Sequence, residues 1–281
     1  MDGPVVILAG AGLLPVTLSR RLRASGRSSK ILAFRGFADK ETLRQADQVM
    51  DLLDVRGILT CLEKWQTVGV VLAGAVNRPK PSALLGSYSL FRNMQELKEV
   101  IGRGDDHLLR GAMALLEEKG FPVIGAHEIA PDILSGEGVF SRRKPTEQEL
   151  KAVAAGIDLL NAISAYDIGQ GLVLSGQRVL AIEGPEGTDR MLHRVADLQR
   201  RSFFSRAVTP FPDSVLVKTA KHQQDLRLDM PAIGPRTVRE IARAGIGGIA
   251  IGSGKTLIIN REETILEADR RDVFLVGIHV S

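Results

Sequence analysis

Short, uninterrupted apolar runs that end in glycine recur along this chain, and they constrain its fold more than any other feature. Val5-Val6-Ile7-Leu8-Ala9 leads straight into Gly10-Ala11-Gly12, as a strand buried on both faces does before a tight turn into a helix. Leu14-Pro15 then opens a helical stretch, with proline near the first-turn position where a missing N–H is harmless. Apolar residues follow through Leu18 and Leu22. Lys30–Phe34, Val68–Gly74 and Phe121–Ala126 read as further strands, and Asp106–Lys119 as a helix before the last of them. Strand and helix in regular alternation predict an α/β, Rossmann-like parallel sheet over residues 1–133.

A break follows. Glycine-rich Leu134–Val139 and basic Arg142-Arg143-Lys144-Pro145 read as a linker over 134–145. Thr146, with Glu149 three residues on, has the capping-box pattern that starts a helix. The expected second domain, 146–281, carries strand candidates at Gly171–Leu174, Val179–Ile182, Ser214–Val217, Gly248–Ile251 and Val273–Val276. Helical segments at Thr188–Gln199 and Pro235–Ala244 lie between them, which predicts a second α/β domain with a mixed sheet.

Composition narrows the function classes. A chain of 281 residues suits two domains, and 44% hydrophobic with 25% charged residues excludes disorder. Lys+Arg 37 against Asp+Glu 33 leaves +4, too little for a nucleic-acid binder. The one cysteine, Cys61, excludes an internal disulfide framework and fits a reducing compartment. No signal-peptide pattern opens the chain, and no apolar run reaches the ~18 residues of a membrane span. These features predict a cytoplasmic protein.

The chemistry-bearing residues fall into four groups. Gly10 and Gly12, with Leu14, form a strand-to-helix turn where exposed N–H groups attract phosphate. The third glycine of a dinucleotide fingerprint is replaced by Pro15, and Arg35-Gly36 stand where a ribose-binding acid belongs, so a nicotinamide site is disfavoured. Arg78, followed later by Asp105 and Asp106, lies in the stretch after the Val68–Gly74 strand, where such sheets build crevices. The run Glu183-Gly184-Pro185-Glu186-Gly187-Thr188-Asp189 holds more acids than helix capping requires, and surplus carboxylates suit a hard divalent cation such as Mg²⁺. Finally Lys218, Lys221, Gln224, Asp225, Arg227 and Asp229 crowd one segment before Arg236. Alternation of 225, 227 and 229 in an extended segment would point all three to one side. Cations that neutralise phosphate beside carboxylates that hold metal or water are what metal-assisted phosphoryl chemistry requires. The five histidines show no metal-ligand spacing.

These stretches carry a family resemblance that runs nearly end to end: AGAGLLP at the start, AGxVxRP at 73–79, GDD at 104–106, GAHE at 125–128 and DIGQ at 167–170. It continues through EGPEGTDRM at 183–191, VLVK at 215–218, QDLRLDMPAIGPRT at 224–237 and GIAI at 248–251. The chain resembles the LpxI family, the UDP-2,3-diacylglucosamine pyrophosphatases of lipid A biosynthesis in some Gram-negative bacteria. The resemblance implies hydrolysis of UDP-2,3-diacylglucosamine to UMP and 2,3-diacylglucosamine 1-phosphate (lipid X), with Mg²⁺ or Mn²⁺. It also implies two α/β domains with the lipid between them, and a homodimer; on an enzyme that collects a lipid, the basic runs Arg20-Arg21, Arg142-Arg143-Lys144, Arg200-Arg201 and Arg270-Arg271 are expected to attract the inner surface of the cytoplasmic membrane. Ala75 departs from the family's usual lysine, and His222-Gln223 from its usual Pro-Gly. Joined to the residue-level reading, it makes Asp225, Lys218, Asp189 and Thr188 the expected catalytic residues. Asp225, Glu183, Glu186 and Asp229 are the expected metal ligands. Gly10, Gly12, Leu14, Arg78, Asp105, Asp106, Gln170, Lys221, Gln224, Arg227 and Arg236 are expected to bind substrate. The competing readings are a non-catalytic nucleotide- or lipid-binding protein and a nicotinamide-dependent oxidoreductase.

Overall fold

The computed structural model describes residues 3–76, 105–164, 166, 168–203, 211, 213–221 and 225–280. Arg78, Asp167 and His222–Gln224 lie outside them. The chain forms two compact units: Met1–Pro131 with Arg227–Asp229, and Asp132–Leu226 with Met230–Ser281.

The first unit begins β1 (Val5–Ala9), α1 (Leu14–Ala24), β2 (Ser29–Phe34), α2 (Lys40–Gln45), β3 (Gln48–Met50), α3 (Val55–Lys64) and β4 (Gly69–Ala73). After the undescribed stretch come α4 (Asp105–Glu118) and the single-turn α5 (Ala126–Ile129). The four strands pair in parallel, in the order β3-β2-β1-β4. Val6, Leu8, Leu32, Phe34 and Val70 face Ile58 and Leu62 of α3 and Leu116 of α4, while α1 packs against β1 and β2. Apolar character on both faces explains why the strand sequences are continuous rather than alternating. The strand expected at Phe121–Ala126 shrinks to one bridge, Val123 to Val70. Pro122 has no N–H for a ladder, and Gly125 donates its N–H to Glu128 to cap α5 instead.

The second unit holds β5 (Gly138–Val139), α6 (Glu147–Ile163), β6 (Gly171–Ser175), β7 (Arg178–Ile182), α7 (Thr188–Phe203), β8 (Ser214–Lys218), β9 (Ala232–Ile233), α8 (Pro235–Arg243), β10 (Gly248–Gly252), β11 (Leu257–Ile258), α9 (Arg261–Arg270) and β12 (Phe274–Ile278). Its main sheet is mixed, in the order β5-β12-β10-β8-β6-β7. Strands β8, β10 and β12 are parallel, and β5, β6 and β7 join antiparallel. Strand period decides which helix packs where. Val173, Leu216, Ile249, Ile251 and Leu275 face α7, α8 and α9. Their neighbours Leu172, Leu174, Val215, Val217, Ala250 and Phe274 face α6. Thr146 caps α6 as its sequence implies: Glu149 N–H donates to Thr146 Oγ1 (3.2 Å), and Thr146 N–H to Glu149 Oε2 (2.8 Å).

Residues 134–145, expected as a linker, are built into this unit. Ser135 donates to the Gly252 carbonyl at 2.6 Å, and β5 pairs with β12. Arg143 reaches Glu149 at 2.7 Å and lies 5.3 Å from the Phe274 ring.

Candidate functional site

In the first unit the chain builds β1, β2 and β3 outward, then returns to place β4 on the other side of β1. Strand order therefore reverses between β1 and β4, where such sheets open a crevice. Here the two glycine turns close on each other. Ala11 N–H donates to the Ala75 carbonyl (2.8 Å) and Ala75 N–H to the Ala11 carbonyl (2.9 Å). A Cβ on Gly10 would lie 2.4 Å from the Ala75 oxygen, so Gly10 is glycine for close backbone approach.

Gly12 sits at φ +99°, a left-handed conformation, with open space where a Cβ would go. Its N–H donates to Asp39 Oδ2 at 2.7 Å. The anion at this turn is the protein's own carboxylate. Asp39, which the sequence reading passed over, precedes α2 as its N-cap but makes no side-chain bond to that helix. Backbone demands thus account for both glycines assigned to substrate, and Leu14 opens α1. We therefore expect Gly10→Ala to destabilise the protein by ~3 kcal/mol through overpacking, and Gly12→Ala by about 1 to 2 kcal/mol through strain alone. Denaturant melts check the ranking; a Gly12 variant that keeps its stability but loses substrate affinity would restore the phosphate reading of the turn.

The second unit brings more of the chemistry together. Antiparallel pairing sets the end of β7 beside the start of β6 and the end of β8. Backbone bonds extend it: Gly169 N–H donates to the Glu183 carbonyl, and Thr219 N–H to the Gln170 carbonyl. The turn from β7 then delivers Thr188 as the first residue of α7. Three side chains meet there. Lys218 Nζ lies 3.1 and 3.3 Å from the two Glu183 oxygens and 2.6 Å from Thr188 Oγ1. Thr188 Oγ1 is 2.7 Å from Glu183 Oε1. Glu183 and Lys218 are both buried. A water-sized cleft of about 10 Å³, which none of the three lines, is bordered in part by Asn161 of α6, Ser164 just beyond that helix, Gln170, Thr219 and Lys221. The buried Thr219 hydroxyl has no hydrogen-bond partner among the described residues. Asn161, Ser164 and Thr219 were not expected; ordinary polar residues near a helix end or strand end carry no motif.

The other expected residues are dispersed. Asp189 pairs with Arg236 of α8 at 2.9 Å, and Glu186, in the turn before α7, pairs with Arg194 of that helix. The segment after Asp225 is a turn, not an extended strand. The expected alternation of Asp225, Arg227 and Asp229 on one side therefore does not hold. Asp225 belongs to the second unit, whereas Arg227 and Asp229 group with the first, where Arg227 meets Glu117 at 3.1 Å. Asp105 and Asp106 begin α4, and Gln224 and Arg78 lie outside the described residues. Among the described residues, no three His, Cys, Asp or Glu side chains gather as a metal's ligand set. Glu183 and Glu186 are each matched by a protein cation, Lys218 and Arg194.

The arrangement at the strand ends is a buried ammonium held at the N-terminus of a long helix. Both are sources of positive potential suited to phosphate oxygens. Comparison with known proteins names the lineage. Residues 4–133 match the model of the LpxI N-terminal domain, and residues 136–276 that of the LpxI C-terminal domain. The chain belongs to the LpxI family. It is 34% identical over 272 residues to the UDP-2,3-diacylglucosamine pyrophosphatase LpxI of Caulobacter vibrioides, an alignment covering 97% of this chain and 96% of that protein. The two LpxI domain matches track the two compact units, and the Glu183–Thr188–Lys218 group lies within the C-terminal one.

Proposed function

We propose that this protein hydrolyses the pyrophosphate of UDP-2,3-diacylglucosamine, giving UMP and 2,3-diacylglucosamine 1-phosphate in lipid A biosynthesis. The observation that carries this reading is the end-to-end match to a relative named for that activity. In the reaction a water oxygen bonds to one phosphorus, the bridging P–O bond breaks, and the water's proton leaves to solvent or a base. Lys218 and the start of α7 are positioned to neutralise phosphate charge, the largest electrostatic demand of such a step. Asp225, seven residues after Lys218 along the chain (225 − 218), is the carboxylate we assign to orienting the attack.

Dependence on Mg²⁺ or Mn²⁺ belongs to the same reading. A cation carried chiefly by substrate phosphate oxygens needs only one or two protein carboxylates, which is compatible with acids that do not cluster. The test is UMP release from UDP-2,3-diacylglucosamine by the purified protein, with and without EDTA. No release would defeat the function, and full release in EDTA would defeat the metal requirement.

We also propose that the protein works at an anionic membrane surface. Among the described residues no helix is long and apolar enough to cross a membrane. Of the basic runs, Arg143 and Arg271 are drawn into ion pairs with Glu149 and Glu267. Arg20, Arg21 and Arg23 on α1 are exposed, as is Leu13 just before it. Each cation near an anionic bilayer contributes about 1 kcal/mol. Co-sedimentation with anionic but not neutral vesicles, weakened by salt, is the expected result.

A further inference from the structure

Within the Glu183–Thr188–Lys218 group, donor and acceptor roles are forced. An ammonium only donates hydrogen bonds, and a hydroxyl carries one proton. Thr188 Oγ1, 2.6 Å from Lys218 Nζ, must therefore accept from it. The threonine's own proton then goes to Glu183 Oε1 at 2.7 Å. Glu183 Oε2 takes a second ammonium proton at 3.1 Å. The third ammonium N–H has only Glu183 Oε1, at 3.3 Å the longest of the three contacts and to an oxygen that already takes the Thr188 proton. The ring is closed on the protein side, and its longest contact, Nζ to Glu183 Oε1, is the one a ligand oxygen would replace.

Glycines make room for Glu183. A Cβ on Gly171 would lie 2.8 Å from Glu183 Oε2, and one on Gly169 2.3 Å from the Glu183 carbonyl. Glu183 is thus fixed through its main chain and through both carboxylate oxygens, and every side-chain bond it makes goes to Lys218 or Thr188.

We infer that Glu183 is a positioning residue for phosphate recognition, acting through Lys218 and Thr188 and not as a metal ligand. Resting on the proposed hydrolysis, this gives each group one task. Lys218 presents a fixed N–H to a phosphate oxygen that gains charge as the anhydride breaks. Glu183 sets the rotamer of that ammonium and turns the Thr188 proton away from the ligand. A displacement of ~1 Å at such a group can cost ~10²-fold in rate.

The experiment is a kinetic double-mutant cycle over wild type, Glu183→Gln, Lys218→Met and the double variant, each checked by thermal melting. Glu183→Gln is expected to lower kcat about 10- to 100-fold while leaving KM and the half-saturating Mg²⁺ within about threefold. In the Lys218→Met background it is expected to change kcat by less than about twofold, because the ammonium it positions is gone and Thr188 has lost the donor that set its orientation. Multiplying losses in the double variant overturn the inference. So does a Glu183→Gln kcat within about threefold of wild type, or a loss that excess Mg²⁺ restores. If Glu183→Gln melts below the assay temperature, Glu183→Asp replaces it in the same cycle, since it keeps the charge but withdraws it by one methylene. An inert wild type defeats the proposed function itself, whereas an active wild type indifferent to Glu183 defeats only this inference.

Discussion

Asp225→Asn is expected to abolish release of UMP from UDP-2,3-diacylglucosamine while leaving the fold intact. Asp225 is half-buried and directly precedes the turn at 226–228. The connection to it leaves β8 at Lys218, whose ammonium is locked against Glu183 and Thr188. The amide keeps the side chain's shape and removes its charge, so it isolates the electrostatic contribution. Losing one transition-state charge contact typically costs ~10² to 10³ in kcat. Because Asp225 lies in a loop rather than the core, its replacement should move stability by only about 1 kcal/mol. The measurements are kcat at saturating Mg²⁺ and a thermal melt of the same preparation. A variant retaining more than about a tenth of wild-type kcat, a barrier change below ~1.4 kcal/mol, would place the reacting centre elsewhere.

Much of the fold was legible because its main strands are buried on both faces. Val215, Leu216 and Val217 alternate between the α7–α9 side and the α6 side of one sheet, so an unbroken apolar run is the only sequence that satisfies both. Strands β3, β5, β9 and β11 span two or three residues and have no such run. Gly138–Val139 is exposed, and pairing with Gly277 and Val276 is what makes it a strand. That partner lies at the far end of the chain, beyond the reach of local pattern. Phe121–Ala126 fails for the opposite reason: its composition suits a strand, but Pro122 and the cap at Gly125 cut the ladder short.

The site divides along the same line. Residue types announced phosphate chemistry at 183–189 and 218–221, and the structure does bring Glu183, Thr188 and Lys218 together. Their roles were not legible. Glu183 looked like a metal ligand because its neighbours are acids and glycines, while its counter-ion stands 35 residues away. Asp39 was invisible for a similar reason, since its bond to the Gly12 N–H spans 27 residues. The alternation of Asp225, Arg227 and Asp229 presupposed an extended backbone, and a turn removes the premise.

The second large effect is expected at Lys218, where rate and stability should come apart. Lys218→Met removes the cation from a pair whose side chains are 7% and 11% exposed. It leaves Glu183 as an uncompensated buried carboxylate, which typically costs about 3 to 5 kcal/mol. The same change deletes the donor proposed to meet phosphate, so kcat should fall by ~10² to 10³. Adding Glu183→Gln removes the stranded charge. Neutral side chains of similar volume often replace a buried pair with little loss, so the double variant should regain most of the lost stability. It should regain none of the rate. Melting temperature and kcat measured on the single and double variants decide the matter. Recovery of both together would mean that Lys218 serves only to hold the second unit together. Recovery of stability alone would mean that its ammonium, rather than the integrity of the fold around it, is what hydrolysis requires.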